Sequence, residues 1–334
     1  MALADKTIKF WKIYEKKVRM VSSRNVEVRN GHNPFVAQAQ LRMPALHPVQ
    51  SIATATLKRT FSNGHTYHIN SLSFSPDGET YLSADDLRIN LWNLATNRST
   101  FNIVDIKPDD MEELSEVITS AEFHPSHAQE LVYSSSKGLV RLCDLRESAR
   151  IEKQSGRVFR HALQSENERT FFSEVISSMS DVKFSRDGRY VMARDYMTLK
   201  IWDLKMTSSP LRTIKVHEQL RSKLCELYES DCIFDKFECS WGWNDGHVCT
   251  GTYDNKLLLW DTFGNDQHCT TLESVSSSSP ARRSSTLKGK LGLTRKDSMS
   301  GRNFNKKILH HSHHPKRNLV AIGARNSLYL FTAN

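Results

Sequence analysis

Hydrophobic and polar residues alternate along several short stretches of the chain. The clearest stretches read DKTIKFWKI, DLRINLWNL, KGLVRLCDL, YMTLKIWDL, DNKLLLWDT and RNSLYLFTA. Alternation with a period of two is typical of β-strands that place one face on a core and the other toward solvent. Helical repeats would need a period near 3.6 residues, which these stretches lack. The pattern therefore predicts an all-β protein.

The predicted strands recur at a nearly constant internal distance from a turn residue to an aromatic residue. The interval is fourteen residues from Gly78 to Trp92, Gly188 to Trp202, Gly246 to Trp260 and Arg317 to Phe331. A fifth copy, from the turn after Pro125 to Cys143, fits if its turn is two residues longer. The Asp-Gly pairs before these strands suit tight hairpin turns. A single unit of this kind cannot bury its own hydrophobic faces, so the units are predicted to stack as an array.

Four strands per unit and the endings Trp202-Asp203 and Trp260-Asp261 resemble a WD-repeat β-propeller. Residues 1–334 are therefore predicted to form a single incomplete propeller of the seven-bladed type. Five blades are nearly complete in this interpretation, and a strand ending at Trp11 is the remnant of another. The N-terminal portion of the ring is expected to be lacking.

Composition is compatible with this interpretation. The 334 residues include no apolar run long enough to span a bilayer and no secretory signal pattern, which predicts a cytoplasmic protein without membrane insertion, with the nucleus as a second location. The six cysteines form no CxxC pair, so free buried thiols are favoured over a disulfide or zinc framework.

The net charge of +9 is concentrated in one segment. Residues 282–307 hold nine Lys or Arg and one Asp, and residues 274–303 are Ser-rich without a strand pattern. This composition predicts a disordered insertion between two blades. It favours a solvated, phosphorylatable loop, while contact with RNA, anionic lipid or an acidic partner stays open. Because Phe304 is the only aromatic residue in 282–307, no nucleic-acid platform is predicted.

A second segment carries the opposite charge. Residues 105–116 hold six acidic residues against Lys107 alone, with Met111 and Leu114 among them. Because this segment connects two blades, its side chains are available for binding on a rigid scaffold. The mixture of acids and apolar residues suits an amphipathic, basic peptide, and a merely solvated loop is the alternative.

Motifs of catalysis and of cofactor binding are lacking: there is no GxSxG, GxxxxGK[ST] or HExxH. The densest group of titratable residues is His310, His311, His313 and His314. His311 and His313 would share one face of a strand, but no thiol or carboxylate follows at a suitable spacing. The sequence thus predicts neither an enzyme, nor a cofactor, nor a metal site.

Long stretches of the chain resemble the regulatory B subunit family (55 kDa class) of serine/threonine protein phosphatase 2A. The resemblance lies in NGHTYHINSLSFSPDGETYLSADDLRINLWNL (63–94), FFSEVISSMSDVKFS (171–185), VHEQLRSKLCELYESDCIFDKFECSW (216–241) and FNKKILH (304–310). It implies a targeting subunit without chemistry of its own. Such a subunit docks on the HEAT-repeat scaffold (A) subunit beside the catalytic (C) subunit, and it holds phosphoprotein substrates on the top face of its propeller.

The resemblance also implies which residues bind substrate. They are Tyr67, Asp86, Met111, Glu112, Leu114, Phe171, Phe172, Tyr228, Glu229, Phe234 and Lys236. The acidic members would pair with Lys or Arg of a substrate helix, and the apolar members would line its other side. Each has a structural alternative: Asp86 would cap the turn into the next strand, and Phe171 or Phe172 would belong to the core.

Scaffold attachment in the family uses a hairpin arm, which corresponds here to residues 14–50. LRMPALHP (41–48) resembles the base of that arm, so Leu41, Arg42 and Pro44 are the predicted scaffold contacts. The tip of the arm matches poorly, and a flexible linker is the alternative there. A rival function is an independent WD-repeat interaction scaffold that no longer assembles into the phosphatase.

Overall fold

The computed structural model describes residues 6–22, 26–27, 35–36, 45–96, 100–150, 156–160, 171–264, 269–274 and 304–332. The chain divides into two compact units: Thr7–Ser62, and Asn63–Asn334 together with Met1–Lys6. The predicted scaffold contacts Leu41, Arg42 and Pro44 lie outside the described residues, as does the predicted insertion 274–303 apart from Ser274.

The smaller unit is a long antiparallel hairpin. Strand β1 (Ile8–Ser22) pairs with β4 (Ala45–Phe61), and the short strands β2 (Val26–Glu27) and β3 (Phe35–Val36) pair with each other. The prediction that a strand ends at Trp11 is wrong, because β4 pairs with β1 as far as Ser22. A role of this hairpin in scaffold binding stays a prediction.

The larger unit consists of five antiparallel sheets, four with four strands and one with three among the described residues. Each sheet is a meander in which consecutive strands pair. The first two sheets are β5 (Ser71–Phe74), β6 (Thr80–Ala84), β7 (Arg88–Asn93), β8 (Thr100–Asp105), and β9 (Ile118–Phe123), β10 (Glu130–Ser135), β11 (Val140–Asp144), β12 (Arg157–Phe159). The third and fourth are β13 (Met179–Phe184), β14 (Tyr190–Asp195), β15 (Thr198–Asp203), β16 (Arg212–Lys215), and β17 (Cys239–Trp241), β18 (His247–Gly251), β19 (Lys256–Asp261), β20 (Cys269–Glu273). The fifth is β21 (His311–His313), β22 (Leu319–Ala324) and β23 (Ser327–Thr332).

The recurring turn-to-aromatic interval spans the hairpin between the second and third strands of a sheet. Its aromatic residue pairs with the second residue of the second strand in four copies, at Tyr81↔Trp92, Val191↔Trp202, Val248↔Trp260 and Val320↔Phe331. The longer copy pairs Leu131 with Cys143. The predicted repeat is thus confirmed, and the all-β architecture is consistent with a WD-repeat β-propeller whose described sheets do not close into a ring.

The turn at Gly188 shows why the sequence carries glycine there. Its φ of +72° lies in the left-handed region, and a Cβ atom would meet His124 Cε1 at 2.3 Å. Gly78 occupies the equivalent turn with φ +70°, but no atom lies within 4 Å of its would-be Cβ. Gly78 is therefore required by backbone conformation alone, and Gly188 by conformation and by the close approach of the neighbouring sheet.

The first strands of neighbouring sheets lie side by side and run in the same direction. The backbone N–H of Ala121 donates to Ser71 Oγ and that of Phe123 donates to Ser73 Oγ, both at 3.0 Å. Because residue numbers increase in the same direction along both strands, β5 and β9 are parallel. Further contacts join β9 to β13 and β13 to β17, from Phe184 N to Glu122 Oε2 (2.6 Å) and from Cys239 N to Asp181 Oδ2 (3.0 Å).

This arrangement brings two kinds of loop to one face of the larger unit, which we call the top face. One kind precedes the first strand of each sheet, and the other joins the second strand to the third. Apolar side chains between the sheets form the core, with Trp202, Phe159 and Leu82 almost fully buried. Burial of this kind supplies most of the stabilisation of stacked sheets.

Helices occur only in the top-face loops among the described residues. They are α1 (Phe171–Ser177), α2 (Leu224–Glu229) and the 3₁₀ turns Met111–Glu113, Glu218–Lys223 and Cys232–Phe234. None of the described helices has the length and apolar character needed to cross a bilayer.

All six cysteines are free thiols. Cys143, Cys239 and Cys249 are buried, as predicted, whereas Cys232 and Cys269 are half-buried. Cys225 lies on the exposed side of α2, so the prediction of a buried thiol is wrong there.

Candidate protein-interaction face

The predicted substrate-binding residues all lie in loops of the top face. Tyr67 precedes β5, and Asp86 lies in the turn between β6 and β7. Met111, Glu112 and Leu114 lie between β8 and β9, Phe171 and Phe172 begin α1 before β13, and Tyr228, Glu229, Phe234 and Lys236 lie between β16 and β17. Residues that are distant in sequence therefore share one end of the sheets.

Four of these residues form a continuous group of aromatic rings, which we call the aromatic cluster: Phe171, Phe172, Tyr228 and Phe234. Ring centroids are 5.5 Å apart for Phe171 and Phe172, 5.4 Å for Phe171 and Tyr228, and 5.8 Å for Tyr228 and Phe234. Phe171 is 60% exposed, Tyr228 41% and Phe234 54%. An exposed aromatic group of this kind is typical of a protein-binding surface.

A secondary hydrophobic core supports the aromatic cluster from below. Phe172 is half-buried and packs against a buried group that includes Leu227, Ile233 and Phe237. Within the loop, buried Leu227 precedes exposed Tyr228, and buried Ile233 precedes exposed Phe234. The two loops thus share their own core, and the exposed rings are held on a packed base. The alternative that Phe171 belongs to the core is wrong, whereas Phe172 does contribute to packing.

Tyr253 anchors the loop that carries Phe234. Its Oη atom lies 2.9 Å from the carbonyl oxygen of Cys232, 2.9 Å from Asp235 Oδ2 and 3.0 Å from Tyr196 Oη. Lys307 forms an ion pair with the same Asp235 carboxylate. Burial raises the pKa of Tyr253 and raises that of Tyr196 to about 12, so both hydroxyls stay protonated near neutral pH.

The top-face loops also carry exposed carboxylates. In the 3₁₀ turn Met111–Glu113, the Asp110 carboxylate accepts a hydrogen bond from Glu112 N at 3.0 Å, which caps the turn and leaves Glu112 exposed. Met111 is 42% exposed. Leu114 is half-buried: its side chain packs against the core of the first two sheets and is also partly exposed. Glu229 is exposed at the end of α2.

Asp86 and Lys236 approach each other across the top face. Burial raises the pKa of Asp86, and the positive charge of Lys236 opposes that rise. The alternative that Asp86 caps the turn into β7 is wrong: the neighbouring Asp85 accepts hydrogen bonds from Leu87 N (2.9 Å) and Arg88 N (2.7 Å). The Asp86 carboxylate is not used by that turn, and it is half-buried at the surface.

A hydrogen-bonded chain of four side chains lies in the first sheet, and the sequence interpretation missed it. Trp92 Nε1 donates to Ser83 Oγ at 2.7 Å, Ser83 Oγ lies 2.5 Å from His65 Nε2, and His65 Nδ1 lies 2.8 Å from Asp85 Oδ2. Ser83 and Asp85 are almost fully buried, and so is the His65 side chain. The pair Gly64-His65 before β5, together with Trp92 near the end of β7, is the signal that could have revealed it.

A sequence profile of the WD domain, G-beta repeat, matches residues 55–93. The chain contains a WD40 repeat. The matched residues include all four members of the hydrogen-bonded chain. A WD40 repeat fits a WD-repeat protein, and such proteins are typically interaction scaffolds without catalytic activity. The match is compatible with protein partners.

One group with the composition of a metal site, His124, His127 and Glu130, is explained by local structure. Its ligand atoms lie within 4.8 Å of one another. However, His124 Nδ1 accepts hydrogen bonds from Ser126 N (3.1 Å) and His127 N (3.0 Å), and its Nε2 lies 3.1 Å from the Gly188 carbonyl. Both ring nitrogens of His124 therefore support the turn and the contact between sheets.

Proposed function

We propose that this chain is a regulatory, substrate-recruiting subunit of protein phosphatase 2A. In this proposal the top face binds basic phosphoprotein substrates, and the chain associates with the scaffold (A) and catalytic (C) subunits as a heterotrimer. The observation that supports substrate recruitment most is the exposed aromatic cluster on the top face, whose loops also carry the carboxylates of Asp86, Glu112 and Glu229. The sequence resemblance supports the assignment to the phosphatase.

The chemistry of the face selects amphipathic, positively charged helices. Phe171, Tyr228 and Phe234 offer an apolar surface with low conformational entropy, and their ring faces attract Lys and Arg. Exposed carboxylates steer a basic partner and set its orientation, although each exposed pair contributes only modest affinity. Docking raises the local concentration of a phosphosite near the catalytic subunit, so selection occurs away from the catalytic pocket.

Binding of a fluorescent, basic amphipathic helical peptide tests the face directly. Asp86→Lys combined with Phe234→Ala should weaken binding by about 100-fold, because it reverses one charge and removes an exposed anchor. Phe101→Ala is the matched control: Phe101 is 65% exposed on β8, away from the top-face loops, and its loss should leave affinity unchanged. Equal affinities of the double variant and the unchanged protein would reject the face.

Association with the phosphatase requires a separate experiment. Purified scaffold and catalytic subunits should be recovered together with the tagged chain, and the Asp86→Lys, Phe234→Ala variant should still recover them. Folded, peptide-binding protein that recovers neither subunit would favour the rival function, an independent WD-repeat interaction scaffold.

A further inference from the structure

The long hairpin of the smaller unit carries a strong positive charge. Strands β1 and β4 together hold seven Lys or Arg residues and one acidic residue, Glu15, which gives the two strands a net charge of +6. The Glu15 carboxylate accepts a hydrogen bond from Ser51 Oγ of the neighbouring strand at 3.0 Å. The sequence interpretation assigned the excess charge to residues 282–307 and did not single out this second basic segment.

The pleat of β1 sorts its side chains onto two faces of the hairpin. The register with β4 shifts at two places, and at both the extra residue, Lys58 or Val49, lies in β4. Alternation along β1 is therefore unbroken, so every second side chain points to the same face. One of the two surfaces, which we call the basic face, consists of Phe10, Lys12, Tyr14 and Lys16.

Aromatic rings and ammonium groups alternate along the basic face. Lys12 Nζ lies 5.8 Å from the centroid of the Tyr14 ring, which is consistent with a shared face. Phe10 is 36% exposed and Tyr14 38%, and the two lysines are exposed. Along the strand the two rings are about 13 Å apart, with Lys12 midway between them. Glu15 belongs to the opposite face, so within the two described strands no carboxylate opposes these lysines.

We propose that the basic face binds single-stranded nucleic acid. Unpaired bases stack on the rings of Phe10 and Tyr14, because every base presents a flat π-surface to an exposed aromatic side chain. Lys12 and Lys16 neutralise phosphates of the same strand and release the counterions that had surrounded them. Arg59, which pairs with Phe10 across the hairpin, adds positive charge at the end of this surface.

Two other partners match the basic face less well. An anionic membrane requires a continuous apolar surface that inserts into the headgroup region, whereas a lysine follows each ring on this face. The larger apolar side chains of β1, Trp11 and Ile13, lie on the opposite face. An acidic protein surface would engage Lys12 and Lys16, but it would leave the regular alternation of these cations with exposed rings without a role.

Fluorescence anisotropy of a labelled single-stranded oligoadenylate, titrated with the full chain at several salt concentrations, tests the proposal. Phe10→Ala combined with Tyr14→Ala should weaken binding by about 100-fold and leave the salt dependence unchanged, because stacking carries no counterion release. Lys12→Gln combined with Lys16→Gln should lower the magnitude of the slope of log affinity against log salt by about 1.4.

Trp11→Ala is the matched control. Trp11 is 49% exposed and adjacent to Phe10, but it points to the opposite face, so its loss should leave the affinity unchanged. An equal loss of affinity in Trp11→Ala and in the Phe10, Tyr14 double variant would overturn the assignment of the face. A duplex of the same length should bind at least about 10-fold more weakly, because its bases are not free to stack, and equal affinity would overturn the stacking role.

Three further results would overturn the proposal: no binding of the oligoadenylate, binding to vesicles of phosphatidylserine and phosphatidylcholine alone, or equal affinities of the unchanged protein and the double aromatic variant. If that variant fails to fold, photo-cross-linking of the unchanged protein to RNA that contains 4-thiouridine decides instead. Mass spectrometry should then find cross-links in β1, and cross-links confined to residues 282–307 would reject the basic face. The peptide experiment on the top face does not involve these residues, so its outcome is independent of this one.

Discussion

Trp92 Nε1 donates a 2.7 Å hydrogen bond to Ser83 Oγ inside the first sheet. The direction of the remaining bonds follows from this donor. Ser83 uses its own proton toward His65 Nε2, and His65 Nδ1–H then donates to the Asp85 carboxylate. Asp85 also accepts from the backbone of Leu87 and Arg88, so one chain of bonds ties the loop before β5 to the turn between β6 and β7.

Ser83→Ala should lower the free energy of unfolding by about 3 kcal/mol. The change leaves Trp92 Nε1 and His65 Nε2 buried without their shared partner, and each such loss costs about 1–3 kcal/mol. Urea unfolding followed by tryptophan fluorescence measures the change. Ser115→Ala, at an exposed position, is the control and should shift the midpoint little. A loss no larger than the control's would show that the bonded chain does not stabilise the fold.

The contribution of Asp85 should depend on pH. Burial favours the neutral carboxyl, but hydrogen bonds from His65, Leu87 and Arg88 outweigh it and hold the pKa below the ordinary 3.8. A carboxyl with a depressed pKa stabilises the fold above its ordinary value, and this stability is lost as pH falls through the folded-state pKa.

Asp85→Asn should therefore be less stable than the unchanged protein near neutral pH, and the difference should shrink below pH 3.8. Denaturant midpoints of both proteins, measured from about pH 7 to about pH 3, test this expectation. A difference that stays constant over the range would mean that Asp85 does not titrate differently in the folded and unfolded states.

Gly188→Ala should be more damaging than Gly78→Ala, although both glycines have a positive φ. Left-handed backbone costs an alanine about 1 kcal/mol, which is the whole expected effect at the open Gly78 turn. At Gly188 the new Cβ atom also meets the His124 ring, whose Nδ1 holds two backbone N–H groups, so about 2–4 kcal/mol should be lost. Thermal or urea unfolding measures both.

The added variant His124→Ala separates the two causes at Gly188. In protein that carries His124→Ala, the Gly188→Ala change should lower the free energy of unfolding by about as much as Gly78→Ala does. Without the imidazole ring, only the backbone conformation opposes the new side chain. Equal losses for the two single glycine variants would contradict the steric argument.

Tyr253→Phe should weaken peptide binding and cost about 1–2 kcal/mol of stability. The hydroxyl is shared by Cys232 O and Asp235 Oδ2, so its loss releases the turn that presents Phe234. Peptide affinity and urea unfolding are the two measurements. If Tyr253 acts by positioning Phe234, Tyr253→Phe should cost little further peptide affinity in protein that already carries Phe234→Ala. If its role is purely structural, the two losses of affinity should add.

Tyr133→Phe is the matched control. Tyr133 is 0% exposed, and its hydroxyl has no hydrogen-bond partner in the described part of the chain. Loss of this hydroxyl should leave stability unchanged or raise it slightly, since no bond is broken and a buried polar atom is removed. A loss as large as that of Tyr253→Phe would point to a partner of Tyr133 that the described residues do not contain.

Prediction from the sequence succeeded for features set by neighbouring residues and was less complete for those set by distant ones. The turns between the first and second strands were predictable because Asp77-Gly78 and Asp187-Gly188 act within a few residues. The end of β1 was mispredicted because β4, far along the chain, extends it. Asp85 and Asp86 look alike in sequence, and only the packed turn shows that Asp85 is the capping residue.

By itself the sequence determined the strand pattern, the repeat and the concentration of acid in the loop before β9, because alternation, turn chemistry and charge are local properties. Tertiary structure decided that Phe171, Tyr228 and Phe234 meet at one surface, and that Cys249 lies against His313. Those contacts arise from the parallel alignment of the first strands and the stacking of separate sheets. Side-chain packing between distant segments selects that arrangement, and no short stretch of sequence encodes it alone.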